Sequence, residues 1–197
     1  MSDILQLHIS LENSDPLIYR TIQLKTGTSF FELHHIIQIA MGWQNYHLFE
    51  FNLDGYRIGM IDETDKSSGY GSDQVLDATI ILLTDILSCE KDSFVYTYDF
   101  GDCWLHNITI EKNLKKVPKV SYPICIEGQL NCPPEDCGGV SGFNYILSII
   151  GDKKHPEYKD TRQWVGKKYD PLIFDKEKTN KQLKQLRKYI SRWNSPD

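Results

Sequence analysis

The chain has 197 residues, 40% hydrophobic and 12% aromatic, which suits one packed core and argues against a disordered polymer. The 22 Lys and Arg against 27 Asp and Glu leave a net charge of −5, so no global attraction to nucleic-acid phosphate or anionic lipid is expected. No run reaches the roughly 18 apolar residues of a membrane helix, no secretory leader is visible, and the five cysteines are odd in number. Together these point to a cytoplasmic protein in a reducing compartment, with thiols or a metal rather than a disulfide framework.

Residues 4–11, ILQLHISL, alternate with Leu5, Leu7, Ile9 and Leu11 on one face, the period of a half-buried strand. After the turn NSDP, residues 17–24 form a second strand with Ile18, Arg20, Ile22 and Leu24 sharing a face. Ser29 with Glu32 makes a capping box, and Phe30, Leu33, Ile37 and Ala40 recur at helical spacing until Gly42 stops the helix. YHLFEFNLDGYRI predicts a hairpin turning at Asp54-Gly55. A strand–strand–helix–strand start implies an α+β fold: a mixed or antiparallel sheet with an early covering helix.

Residues 62–74 are polar and rich in Gly and Ser, the best candidate for a mobile loop. An aliphatic run at 78–87 follows, and Cys89 after it reads as plain core. SFVYTYDF and WLHNITIEKNL predict two strands around a GDC turn. Beyond them the chain turns helical. Ser141 is expected to cap a helix bearing Phe143, Ile146, Leu147 and Ile150. Pro156 is expected in the first turn of a second helix carrying Trp164 and ending near Gly166. A last helix places Leu183, Leu186, Ile190 and Trp193 on one stripe. No composition shift marks a boundary, so 1–197 reads as a single domain.

Three groups could carry chemistry. Cys125, Cys132 and Cys137 follow a C-x6-C-x4-C spacing, and three thiolates would need one more ligand for tetrahedral zinc, from His106, His155 or Cys103. The alternative is that the thiols are small buried hydrophobes in a proline-rich turn. Asp99, Asp102 and His106 in YDFGDCWLH, with Glu135 and Asp136 in PPED, are candidate catalytic residues. Converging carboxylates can hold Mg²⁺ or Mn²⁺ for phosphodiester hydrolysis, whereas Asp beside Gly ordinarily caps its own turn. Lys181, Lys184, Arg187 and Lys188 on the last helix are candidates for nucleic-acid contact, against the commoner use of a basic helix face in solvent. The histidines His34, His35 and His47 read as packing residues. Their functional use would be a cleft in which His34, His47 and Trp43 meet the acidic loop.

The stretches LHHIIQIAMGW with HLFEF, YTYDFGDCWLHNI, YPICIEGQLNCPPEDCGG and DPLIFD resemble the plasmid ORF-3-like family, over roughly residues 4–185. The resemblance implies a single α+β domain and a setting among plasmids and insertion elements, where some members carry a transposon-resolvase-like label. It implies no established activity. The resolvase label would require a nucleophilic serine and a helix-turn-helix, and the sequence has neither. The expected function is a binding or accessory module of a mobile element or regulatory system, with zinc as its candidate stabiliser. The rivals are a divalent-metal nuclease and a DNA-binding accessory protein.

Overall fold

Alternation in the first 25 residues becomes a tight antiparallel pair, β1 (Ile4–Leu11) and β2 (Tyr19–Lys25), in register from Ile4–Lys25 to Ser10–Tyr19. The computed structural model describes residues 3–53, 55–61, 75–87 and 90–193, so the polar stretch 62–74 and Cys89 lie outside them. The remaining strands are β3 (Phe49–Leu53), β4 (Tyr56–Gly59), β5 (Val75–Asp77), β6 (Ser93–Tyr98), β7 (Trp104–Leu114) and β8 (Ile124–Gln129). They join one eight-stranded sheet in the order β5-β4-β3-β6-β7-β1-β2-β8. Every pairing is antiparallel except β4 with β5, so the sheet is mixed and the fold is α+β. The first strand lies inside the sheet, between β2 and β7, where its inward leucines and isoleucines are fully covered.

Helix α1 (Phe30–Met41) starts as expected. Ser29 Oγ accepts from Glu32 N at 3.1 Å and Glu32 Oε2 accepts from Ser29 N at 3.3 Å. Gly42, at φ 90°, ends it. Phe30, Leu33, Ile36, Ile37 and Ala40 bury in the same core as the strands. The hairpin of β3 and β4 also forms, with Gly55 at φ 91°.

The helical C-terminal part departs from the expected boundaries. After the single-turn α2 (Leu83–Ile86), helix α3 runs from Gly139 to Gly151, with Ser141 inside it and Gly138 as its N-cap. Backbone approach sets this start: a Cβ on Gly139 would lie 2.5 Å from Asp102 O, and one on Gly142 would lie 1.8 Å from Cys137 O. Pro156 falls in the turn before α4 (Tyr158–Trp164), so it precedes the helix instead of opening it. The last helix is two: α5 (Lys176–Leu183) and α6 (Leu186–Trp193). Between them Gln185 N donates to Gln182 O at 2.8 Å, a tightened turn that lets α5 pack on both β8 and α1 while α6 packs on α1. That placement covers His35, which the helical period directs away from the core. The rings of Tyr189 and Trp193 sit 5.8 and 5.5 Å from it.

Strand β8 was hidden in the cysteine-rich stretch. It closes the sheet beyond β2, with a step in register from Thr21–Glu127 to Ile22–Cys125 that leaves Ile126 unpaired. The Ile126 carbonyl accepts from Lys176 Nζ at 3.1 Å. On the outer edge, Asn180 of α5 accepts from Cys125 N and donates to Cys125 O, both at 2.8 Å.

Beneath this edge lies Arg20, 1% exposed. Its Nε donates to Ala40 O, its Nη1 to the carbonyls of Tyr19 and Gln129, and its Nη2 to Leu130 O and, at 3.9 Å, Cys132 Sγ. Phe174 lies over the guanidinium at 3.8 Å. All five donors of the group are thus used, and the arginine ties the end of α1 to β2 and the chain after β8.

Candidate metal centre

The loops at one end of β3, β6 and β8 meet. Chain 42–48 leaves α1 at Gly42 and is pinned from below. Asn45, at φ 62°, accepts at its Oδ1 from His34 Nε2 at 2.6 Å, and Tyr46 N donates to Tyr98 OH at 3.0 Å. This fixes His47. Asp99 ends β6 at φ 56°, with Asp99 N bonded to Leu48 O and its Oδ1 accepting from Gly101 N at 2.9 Å. Asp136 sits in the PPED loop at φ 58°.

The free oxygens of both aspartates turn toward His47. Its Nε2 is 2.9 Å from Asp136 Oδ1 and 3.6 Å from Asp99 Oδ2. Among the described residues, this is the one set of three His, Cys, Asp or Glu ligand atoms lying within 4.8 Å of one another. Nε2 is shielded from solvent, yet neither oxygen meets it with hydrogen-bond geometry. An imidazole nitrogen and two carboxylates make a donor set for a divalent cation that accepts both nitrogen and hard oxygen, such as Zn²⁺, Mn²⁺ or Fe²⁺.

The other carboxylates of the motifs are engaged. Glu135 Oε1 accepts from Tyr98 OH at 2.5 Å and its Oε2 from Gln44 N at 2.9 Å. Burial, then Glu135 itself, pushes the Tyr98 phenol well above its ordinary range, so Tyr98 is a fixed donor. Asp102 Oδ2 accepts from Gly138 N at 3.1 Å and serves as a turn clamp. His106 is fully buried, donates from Nδ1 to Trp104 O at 3.0 Å and packs edge-on to Trp43. Burial pulls it down to about 4. It is a core residue, separate from the carboxylates.

The three thiols do not form a ligand set. Cys125 is buried on β8 with Sγ 3.2 Å from Glu127 O. Cys132 is buried with Sγ 3.0 Å from Met41 Sδ. Cys137 lies half-buried near Gly139 O. Burial raises the first two to about 11, and burial with the nearby Asp102 charge raises the third to about 12. Among the described residues the three sulfurs do not all lie within 4.8 Å of one another. Cys103 is exposed on the β6–β7 turn, and His155 accepts from Glu157 N between α3 and α4. Lys181, Lys184, Arg187 and Lys188 are exposed, but the break between α5 and α6 divides them.

Of the sequence candidates, the structure therefore joins Asp99 with Asp136, and of the three residues of the expected cleft it brings His47 to both carboxylates. Trp43 does meet the acidic loop, donating from Nε1 to Pro133 O at 3.0 Å. His34 does not, being held in the core by Tyr96 and Asn45.

Beside the cluster lies a cleft of about 500 Å³. Asp136 and Tyr46 form its border with His47, and Pro133, Pro134, Trp164 and Tyr169 contribute walls.

One mixed sheet, helices gathered toward the C-terminal end and a loop cluster at the sheet's end define an α+β protein whose candidate chemistry lies outside its core. The chain belongs to the plasmid pRiA4b ORF-3-like family, whose model matches residues 3–178. It is 30% identical over 187 residues to the uncharacterised protein y4hQ of Sinorhizobium fredii (strain NBRC 101917 / NGR234), covering 94% of this chain and 93% of that one. It also resembles the crystal structure of MM3350, a protein of unknown function from Methanosarcina mazei Go1. The TM-score is 0.79 at 33% identity, over 88% of this chain and 96% of that one. Among the described residues no helix is long and apolar enough to cross a membrane.

Proposed function

We propose that the protein is a binding module organised by one divalent cation at His47, Asp99 and Asp136. The observation that carries this reading is the position of His47 Nε2, 2.9 and 3.6 Å from two carboxylate oxygens yet hydrogen-bonded to neither. Ligand atoms around a shared ion are about 3.0–3.4 Å apart when each is about 2.1 Å from it. The two distances straddle that range. An ion there would neutralise both aspartates and cross-link the α1–β3 loop, the β6–β7 turn and the PPED loop. Three protein ligands leave coordination positions open for a further ligand. The plasmid origin in the family's description supports a mobile-element or regulatory setting.

The test is titration of Mn²⁺ or Zn²⁺ into chelator-treated protein, followed by thermal unfolding. An ion present at a hundred times its Kd should add about 2.7 kcal/mol. The gain should vanish in His47→Ala and Asp136→Asn. Unchanged unfolding of the wild type, with no metal retained after dialysis, would overturn the assignment.

A metal-dependent phosphodiesterase draws on the same observation, because Asp99 and Asp136 are the two motif carboxylates left free to converge. It predicts Mn²⁺-stimulated cleavage of DNA or RNA that is lost in Asp136→Asn while folding is kept.

A further inference from the structure

The cleft beside the cluster has an unusual lining for a protein surface. Trp164 is 53% exposed and makes no ring contact among the described residues, and Tyr46 is 68% exposed. Two large aromatic faces are left open to solvent where apolar side chains ordinarily bury. The opposite case within the same molecule is Trp193, part-exposed too but packed on Phe31 and His35.

The cleft walls are fixed by hydrogen bonds. Trp43 Nε1 holds Pro133 O, and Tyr169 OH donates to Cys132 O at 2.8 Å. Its volume, about 500 Å³, falls within the range of small-ligand sites.

Charge narrows the class of ligand. Of the two acids in the lining, Glu135 has both oxygens engaged by Tyr98 and Gln44, and Asp136 faces the cation position. The remaining charged side chain is Lys178, exposed and without an ion pair among the described residues. With the ion in place, its charge offset by the two aspartates, the cleft offers two groups that take an anion, a cation with open positions at one border and an ammonium in the lining. The exposed faces of Trp164 and Tyr46 belong to the same lining. Hard anionic oxygen suits the cation and the ammonium, and a flat π-system suits the aromatic faces.

We propose that this cleft binds a planar heteroaromatic ring that carries a phosphate: a nucleoside 5′-monophosphate or the 5′-phosphorylated end of a nucleic-acid strand. The ring stacks on Trp164 and Tyr46, and the phosphate bridges the cation and Lys178. The inference rests on the cation reading above. It requires no charge on the protein as a whole, which is acidic, because recognition is confined to one terminal phosphate and one ring.

The test uses the full chain loaded with Mn²⁺, whose binding is followed separately by electron paramagnetic resonance. Calorimetry then compares adenosine 5′-monophosphate, ribose 5-phosphate, adenosine and a 5′-phosphorylated single-stranded oligonucleotide. The monophosphate or the oligonucleotide should bind at least tenfold more tightly than ribose 5-phosphate or adenosine, and the tighter of the two identifies the source. Trp164→Ala should weaken binding about tenfold, and Lys178→Ala should weaken it as well, with Mn²⁺ affinity unchanged in both. Asp136→Asn should lose Mn²⁺ and nucleotide together. Equal affinity for ribose 5-phosphate would show that the ring is not read, and equal affinity for adenosine would show that the phosphate is not. Either result, or Mn²⁺ binding with no nucleotide binding, overturns this inference alone. Failure to bind Mn²⁺ overturns the cation reading and this one with it.

Discussion

Arg20 and His47 are both polar side chains on which several segments converge, and they are treated in opposite ways. Arg20 is buried, and its five donors meet four carbonyls and a sulfur. His47 is part-exposed, and its Nε2 faces two carboxylate oxygens without a hydrogen bond to either. The first arrangement is saturated. A desolvated cation is retained because each donor it lost to water has been replaced. The second is unsaturated, and its backbone is held in place for it: both aspartates sit at positive φ, at 56° and 58°. His35 and His106 also leave a buried Nε2 without a partner, so what sets His47 apart is that its unmet nitrogen faces two carboxylate oxygens.

The largest expected effect is on the saturated side. Arg20→Met leaves carbonyls of Tyr19, Ala40, Gln129 and Leu130 without donors and should cost on the order of 4 kcal/mol in urea unfolding. Arg20→Lys should recover little, because an ammonium with three donors cannot reach acceptors spread around a planar fork. A cost below about 1 kcal/mol would dissolve the contrast.

Next comes His106, whose folded state is held down to about 4 by burial. Its ordinary value is about 6.5, so between these two values the unfolded chain binds more protons. Stability is therefore fully present above about pH 6.5 and falls as pH drops toward 4, by up to roughly 3 kcal/mol from this group. A urea series across that window in wild type and His106→Gln should show a shallower fall in the variant. Parallel slopes would mean that His106 is not the group responsible.

Asp102→Ala, which removes the acceptor for Gly138 N, should cost about 1 kcal/mol and leave cation binding intact. Smallest of all, Asp136→Asn should change metal-free stability by less than about 0.5 kcal/mol. The same substitution should abolish the cation-induced gain. That pairing of a silent stability effect with a lost response would sharpen the distinction most.

The sequence announced one of these two regions better than the other. Arg20 shares a face with Ile18, Ile22 and Leu24, all buried. A charge in register with core residues is a visible sign of a buried, fully bonded group. The capping box of Ser29 and the hairpin at Gly55 were equally legible, being local rules of three or four residues. Strand β8 was obscured because Cys125 and its neighbours invited a metal reading, although Ile124 and Ile126 flank it with β-branched residues. The split between α5 and α6 follows from the surfaces each segment packs against, which no helical period encodes. At the candidate site, the carboxylates Asp99 and Asp136 stood out because Asp and Gly cluster there. Which of four acids stay free depends on Tyr98, Gln44 and Gly138 claiming the other two, and those are contacts between segments 36 to 91 residues apart.

Asn180 does to β8 what another strand would do. Its amide accepts from the backbone nitrogen of Cys125 and donates to the carbonyl of the same residue, reproducing with one side chain the paired bonds of a neighbouring strand. The last strand of an open sheet ordinarily presents such groups as a template for a second molecule. Here the template is already filled at Cys125, the second residue of the strand, and the bulge at Ile126 with Lys176 on its carbonyl interrupts it a residue further on. The sheet is thereby ended without being closed into a barrel, and the protection against self-association comes from the same helix, α5, that covers the core. Loosening that helix would therefore do more than lower stability. It would uncover an adhesive edge, so concentrated solutions of an Asn180→Ala variant should aggregate through β8 under conditions where the native chain stays dispersed.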